Sequence, residues 1–236
     1  MKYPATIFLS IFYFFSVRSQ TVLLEREEDG IMDSTFSSMF DEEKNSSWIT
    51  NSVYGIGFPV TQSVAGGEIE NEHSIQLALG SVNMYQIADF FALGIGVTYN
   101  FYNYRLEQSP EKILPNAYAE NNKETIRLNC LQFGPAMRIN FTPRKYSKAV
   151  MLDLGADVVW VMGSNHKTWN ENADGSEIKI STRKLPYTEK FQYMGYARFG
   201  IGAIALYGSY RLTDVFKEAY NYPELPALNI GVAFIL

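Results

Sequence analysis

Along most of this chain, apolar side chains alternate one for one with small or polar ones. In the final stretch Leu228, Ile230, Val232, Phe234 and Leu236 fall on one side of an extended strand, and Asn229, Gly231 and Ala233 fall on the other. The same period of two runs through eight segments from Trp48 onward, at residues 52–60, 74–82, 91–101, 125–141, 150–162, 191–201, 204–213 and 228–236. In the fifth, Val150, Leu152, Leu154, Ala156, Val158, Trp160 and Met162 oppose Asp153, Gly155 and Asp157. In the seventh, Ile204, Leu206, Tyr210 and Leu212 oppose Ala205, Tyr207, Ser209, Arg211 and Thr213. The fourth departs from strict alternation: Ile126 and Leu128 sit at even positions, Leu131, Phe133, Met137, Ile139 and Phe141 at odd ones. That predicts a change of facing near Cys130, produced by one extra residue in a β-bulge.

Alternation alone also suits a soluble sandwich or a lipocalin with its apolar face inward. Three features reverse that orientation. The small and polar faces hold glycines, arginines and aspartates together, a poor solvent surface but a good filling for a narrow lumen. Connections alternate in length, short after the second, fourth and sixth segments and long after the others, with 165–188 the longest. Aromatic residues make up 15% of the chain, and Phe90, Tyr99, Phe101, Phe141, Trp160 and Phe216 lie near segment ends, where interfacial girdles belong. The pattern therefore predicts an all-β fold, an eight-stranded antiparallel transmembrane β-barrel with short periplasmic turns, long outer loops and both termini periplasmic.

Composition divides the chain. Lys2, an apolar run from Ala5 to Phe15 and the small residue Ser19 read as a secretory signal over residues 1–19, too short at about a dozen apolar residues to span a bilayer. Its removal takes away Lys2 and Arg18 and moves the formal charge from -5 to -7. Residues 20–47 hold eight acids against Arg26 and Lys44, a net of -6, and read as an acidic periplasmic tail ahead of a barrel domain at 48–236. A chain this acidic is a poor partner for nucleic acid. Cys130 is the single cysteine, so no intrachain disulfide forms, and with no histidine near it in sequence it reads as a packing residue. No metal-ligand cluster, phosphate-binding glycine loop or nucleophile elbow appears, so no cofactor is expected.

The terminal Asn229-x-Gly231-x-x-Phe234-x-Leu236 resembles the C-terminal assembly signal of bacterial outer-membrane barrels, ending on Leu rather than an aromatic residue. The stretch "SVNMYQIADFFALGIGVTYNFY" is similar to the second-turn and third-strand region of the small eight-stranded outer-membrane barrels of the Bacteroidota, and Gln20 after the cleavage point is similar to their signal sites. The resemblance covers about residues 48–236. It implies the fold and the outer membrane, and only loosely a task. Implied partners are outer-membrane lipids and lipopolysaccharide, the barrel-assembly machinery through the closing strand, and an envelope protein at the loops or tail.

Candidate chemistry is sparse. The histidines are His73, beside Ser74, and His166, two residues after Ser164. Neighbouring strand residues face opposite ways, so His73 and Ser74 are not expected to share a proton; Ser164 and His166 could share a face, with Asp174 or Glu177 as a distant acid. A structural or docking barrel with a side-chain-filled lumen is expected, and no enzyme; the alternatives are a narrow small-solute channel and a rim hydrolase or acyltransferase acting on lipid A. Register predicts what fills the lumen. A turn centred between Lys145 and Tyr146 sets Arg138 opposite Asp153, and Arg198 arrives at the same height on the next strand, giving an expected Arg138–Asp153–Arg198 bridge. Asp157 and Arg211, one layer higher, are expected to form a second pair.

Overall fold

The structure, a computed structural model, describes residues 47–60, 66–109, 112–114, 123–142, 149–171 and 174–236. The expected signal peptide and nearly all of the acidic tail lie outside the described residues. Nine strands form one antiparallel sheet: β1 (Trp48–Val60), β2 (Ile75–Ala88), β3 (Phe91–Leu106), β4 (Lys123–Asn140), β5 (Val150–Glu171), β6 (Glu177–Arg183), β7 (Phe191–Ile201), β8 (Ile204–Arg211) and β9 (Leu228–Ile235). Eight of them close a barrel, because β1 pairs with β9 and β4 pairs with β5. Closure leaves no sheet edge within the ring, the condition for strands to exist in hydrocarbon. The ninth strand, β6, pairs only with the far end of β5 and stands outside the ring.

The outward side chains of the ring are large and apolar. Ile95 is 62% exposed and Leu206 64%, and Phe58, Leu79, Phe133, Trp160, Phe199, Ile230 and Phe234 are similarly open. A contiguous apolar belt around a closed barrel has no reason to face water and every reason to face lipid. Inward residues are small or polar where strands must accommodate crossing side chains. A Cβ on Gly155 would meet the Tyr196 ring at 2.4 Å, so glycine there leaves room for Tyr196 to lie across the lumen.

β4 does not change facing at Cys130. Even-numbered residues point inward along its length, from Glu124 through Ile126, Leu128, Cys130 and Gln132 to Arg138. What changes is the medium on each side. Below Leu131 the outside is lipid and the inside polar; above it the outside carries Asn129, Arg127 and Lys123, while the inside becomes an apolar core. A bulge does occur at this height, but on the partner strand. Asn129 stands opposite Gly163 and Cys130 opposite Val161, so the extra residue is Met162, and inward positions on β5 pass from odd (Asp153, Asp157, Val161) to even (Ser164, His166, Thr168). The expected long loop 165–188 is in large part strand, since β5 continues to Glu171 and returns as β6.

Tyr102, Tyr104, Leu106, Ile126, Leu128, Val159 and Val161 point into the long-loop end of the barrel. Ile69, Leu114, Leu185, Tyr187, Val215, Phe216 and Leu225, all from connections, fold down onto them and complete one buried cluster. The long connections thus stopper the ring with an apolar cap. Smaller apolar groups, among them Met151, Ala205 and Ile235, line the short-turn end.

Candidate functional site

Between cap and short turns lies a polar band. Arg138 reaches it from β4 and Asp153 from β5, directly opposite in register. Arg138 Nε donates to Asp153 Oδ1 at 2.6 Å and Nη2 to Oδ2 at 2.9 Å, a bidentate fork, while Nη1 donates to Asn51 Oδ1 across the lumen at 2.9 Å. Asp153 is fully buried. Arg198 also stands opposite Asp153, on β7, yet the three-membered bridge expected from register is not formed. Both carboxylate oxygens are occupied by the Arg138 fork, and the Arg198 guanidinium lies over the Tyr196 ring at 4.3 Å instead. The expected Asp157–Arg211 pair is absent too. Arg211 donates to the Leu225 and Thr213 carbonyls at 2.6 and 3.0 Å and stands 3.4 Å from Glu224 Oε2, all in the connection between β8 and β9. Asp157 and Arg198 instead line a cavity of about 30 Å³, with Tyr196, Tyr207 and Gln76 among its other walls, room for about one water. Above it Tyr207 OH donates to Gln76 Oε1, and Gln76 Nε2 to Asn100 Oδ1, so polar side chains bridge the lumen from wall to wall.

Glu224 acts as a staple for its connection. Its oxygens accept from the Val215 and Phe216 backbone N–H groups at 2.8 and 3.0 Å, which pins the segment that supplies the cap residues Val215 and Phe216. Burial pushes its carboxyl above the usual range, against the opposing pull of those two N–H groups and Arg211.

The loop end holds a cluster that sequence reasoning missed. Glu124 Oε1 lies 2.5 Å from His166 Nε2, His166 Nδ1 lies 3.0 Å from Tyr187 OH, and Lys112 Nζ bonds the other Glu124 oxygen. All four side chains are buried, and they tie β4, β5 and two connections together. The signal was the inward parity of β4, legible only once its facing is known. Ser164 shares the inward face with His166, but its Oγ accepts from Leu185 N–H and bonds Thr188 Oγ1, while both His166 nitrogens are engaged elsewhere. Asp174 accepts from Ser176 within its own turn at the hairpin tip, and Glu177 opens β6 opposite Glu171. At the same loop-side rim Ser74 Oγ donates to the Glu70 carbonyl at 2.8 Å and His73 sits 3.1 Å from the Glu70 carboxylate, so these two turn to different groups of Glu70 and not to each other.

The terminal residues lie on the closing strand. Asn229 is buried against the lumen, and Phe234 and Leu236 face out. A Cβ on Gly231 would lie 2.1 Å from the Ile56 carbonyl, so only glycine permits β9 this approach to β1. The family model for the outer membrane protein beta-barrel domain matches residues 43–217, well over half of the chain. The chain belongs to that family. No curated protein matches it. As an outer-membrane β-barrel domain it is a transmembrane protein of the bacterial outer membrane, and its apolar belt is the surface that meets lipid.

Proposed function

We propose that this outer-membrane barrel is a stoppered structural component of the envelope that docks a protein partner through its long connections. In this reading the short turns and both termini lie in the periplasm and the long connections outside, the arrangement typical of such barrels. The C-terminal strand, with Asn229, Gly231, Phe234 and Leu236, is the segment the assembly machinery would engage, because it closes the ring. The observation that carries the docking reading is the cap: the loops are folded onto an apolar core rather than open over a pore. Docking also has a suitable surface. Tyr220, 40% exposed, packs its ring against Tyr187 and Tyr222, which pack tilted or edge-on against each other and against buried Phe216, with centroids within 6.0 Å. Tyrosines clustered this way, rigid and amphipathic, are common anchors of protein interfaces.

A photo-crosslinking residue at Tyr220 should capture a discrete protein in native envelopes, whereas the same residue at lipid-facing Tyr54 should not. Equal yields at the two positions would refute docking through the loop end.

A further inference from the structure

The part of the sheet that rises above the lipid belt carries a basic face. On the outward side of β4, β5 and β6 the register stacks three cross-strand rows: Lys123, Trp169, Lys179; then Thr125, Lys167, Ser181; then Arg127, Asn165, Arg183. Five cations stand in these rows with no carboxylate among them, in a chain whose net charge is -5. The acids nearest in register are Glu171 and Glu177, opposite each other at the hairpin tip, and Glu107, which follows Leu106 on the β3 side beside Lys123. None of the five cations forms an ion pair among the described residues. Lys123 and Lys179 instead both lie against the Trp169 ring, at 5.1 and 5.2 Å from its centroid. Lys167 stands in the middle row, beyond the membrane-spanning part of β5. Partial burial and the neighbouring Arg127, Lys179 and Arg183 charges push its ammonium below the usual range. A face that gathers like charges in this way attracts anions.

Position says which anion. The outward belt of β4 ends at Leu131, and Arg127 is four residues beyond it, about 13 Å along the strand at roughly 3.3 Å per residue and less in height because barrel strands tilt. The lowest row is therefore at head-group level, and the Trp169 row lies farther out. The face looks sideways over the membrane, away from the lumen. Guanidinium forks and ammonium groups are the side chains that recognise phosphate.

We propose that the outward face of β4, β5 and β6 is a binding site for the phosphate groups of a phosphorylated glycolipid in the adjacent leaflet, with Arg127 and Arg183 at head-group level, Lys167, Lys123 and Lys179 above them as its further ligands, and Trp169 holding the two outermost lysines. The proposal rests on the long connections lying outside, as in the docking reading.

The test uses the full chain reconstituted in phosphatidylcholine vesicles doped with diphosphoryl lipid A or with its dephosphorylated form, then extracted and washed in mild detergent. The readout is lipid A retained per barrel. Wild type should retain the diphosphoryl form, and a triple variant Lys123→Gln, Lys167→Gln, Lys179→Gln should lose at least about tenfold of it, given roughly 1 kcal/mol per basic residue near an anionic surface. The triple Lys→Arg variant should keep it, and the dephosphorylated lipid should separate none of the proteins. Heat-dependent gel mobility checks that each variant is a folded barrel. Unchanged retention in the folded Gln variant overturns the site. Release by inorganic phosphate matched to the lipid phosphate would mean a soluble anion site and overturns the lipid assignment. An epitope inserted at Gly175 separates the two layers: no labelling on intact cells overturns the orientation, and labelling with unchanged retention overturns the lipid site alone.

Discussion

Asp153 is satisfied by one arginine, not two, and that difference decides what its neighbours are worth. Removing a buried carboxylate leaves the Arg138 cation uncompensated in the lumen, a loss of about 3 to 5 kcal/mol for a pair of this kind, less where water enters. Asp153→Asn should therefore lower the temperature at which the folded barrel changes mobility on a semi-native gel, and adding Arg138→Gln should recover part of the loss. Arg198→Gln should lower it less than Arg138→Gln, because Arg198 rests on Tyr196 and makes no hydrogen bond to Asp153. An equal or larger effect at Arg198 would contradict the side-chain arrangement. Register placed both arginines opposite Asp153 correctly from the sequence. It could not say which guanidinium would take the carboxylate, since that choice depends on rotamers and on the Tyr196 ring filling the space over Gly155.

At the scale of strands, the alternation was legible wherever lipid bathed the outside, and misleading above it. Hydrophobicity marks a face only relative to the medium, and β4 crosses from a lipid-facing outside at Leu131 to a polar one at Arg127. Inverted hydrophobicity along an unbroken strand therefore mimics a reversal of facing. The bulge fell on Met162 for the same reason: Val161 and Met162 are both apolar, so the sequence offers no break there. β6 escaped notice because it is short and in water, and Ile178 and Ile180 are too few to mark Glu177–Arg183 as a strand. The catalytic candidates Ser164 and His166 share a face as expected, but Leu185, Thr188 and Tyr187, which engage them alongside Glu124 of β4, come from a connection, which pattern does not register. The belt's upper limit gives a direct test. Arginine at Leu154, outward in the belt, should destabilise the barrel by roughly 2 to 4 kcal/mol, whereas arginine at Asn165, outward beyond the bulge, should cost about 0 to 1. Equilibrium unfolding in vesicles measures both, and equal costs would remove the boundary.

The described residues obstruct the lumen at two levels, a polar band and an apolar cap. Eight strands enclose an interior that side chains just fill, and here the fill is explicit: the Arg138–Asp153–Asn51 bridge, the rings of Tyr196 and Tyr207, and the Tyr207–Gln76–Asn100 chain cross the lumen, with a cavity of about 30 Å³ between them. Above them the loop-derived residues Leu114, Leu185, Val215, Phe216 and Leu225 close an apolar cap. An ion entering from the loop end would have to shed its hydration among buried aliphatic and aromatic groups, at a cost no contact there repays. Purified barrel in a planar bilayer should accordingly give no steady conductance. A Phe216→Ser, Leu225→Ser variant, with its cap loosened, should also stay silent, because the polar band below remains filled. Steady current through the wild-type protein would overturn the sealed lumen and favour a narrow solute channel; current through the variant alone would make the cap the sole barrier and show that the polar band passes ions.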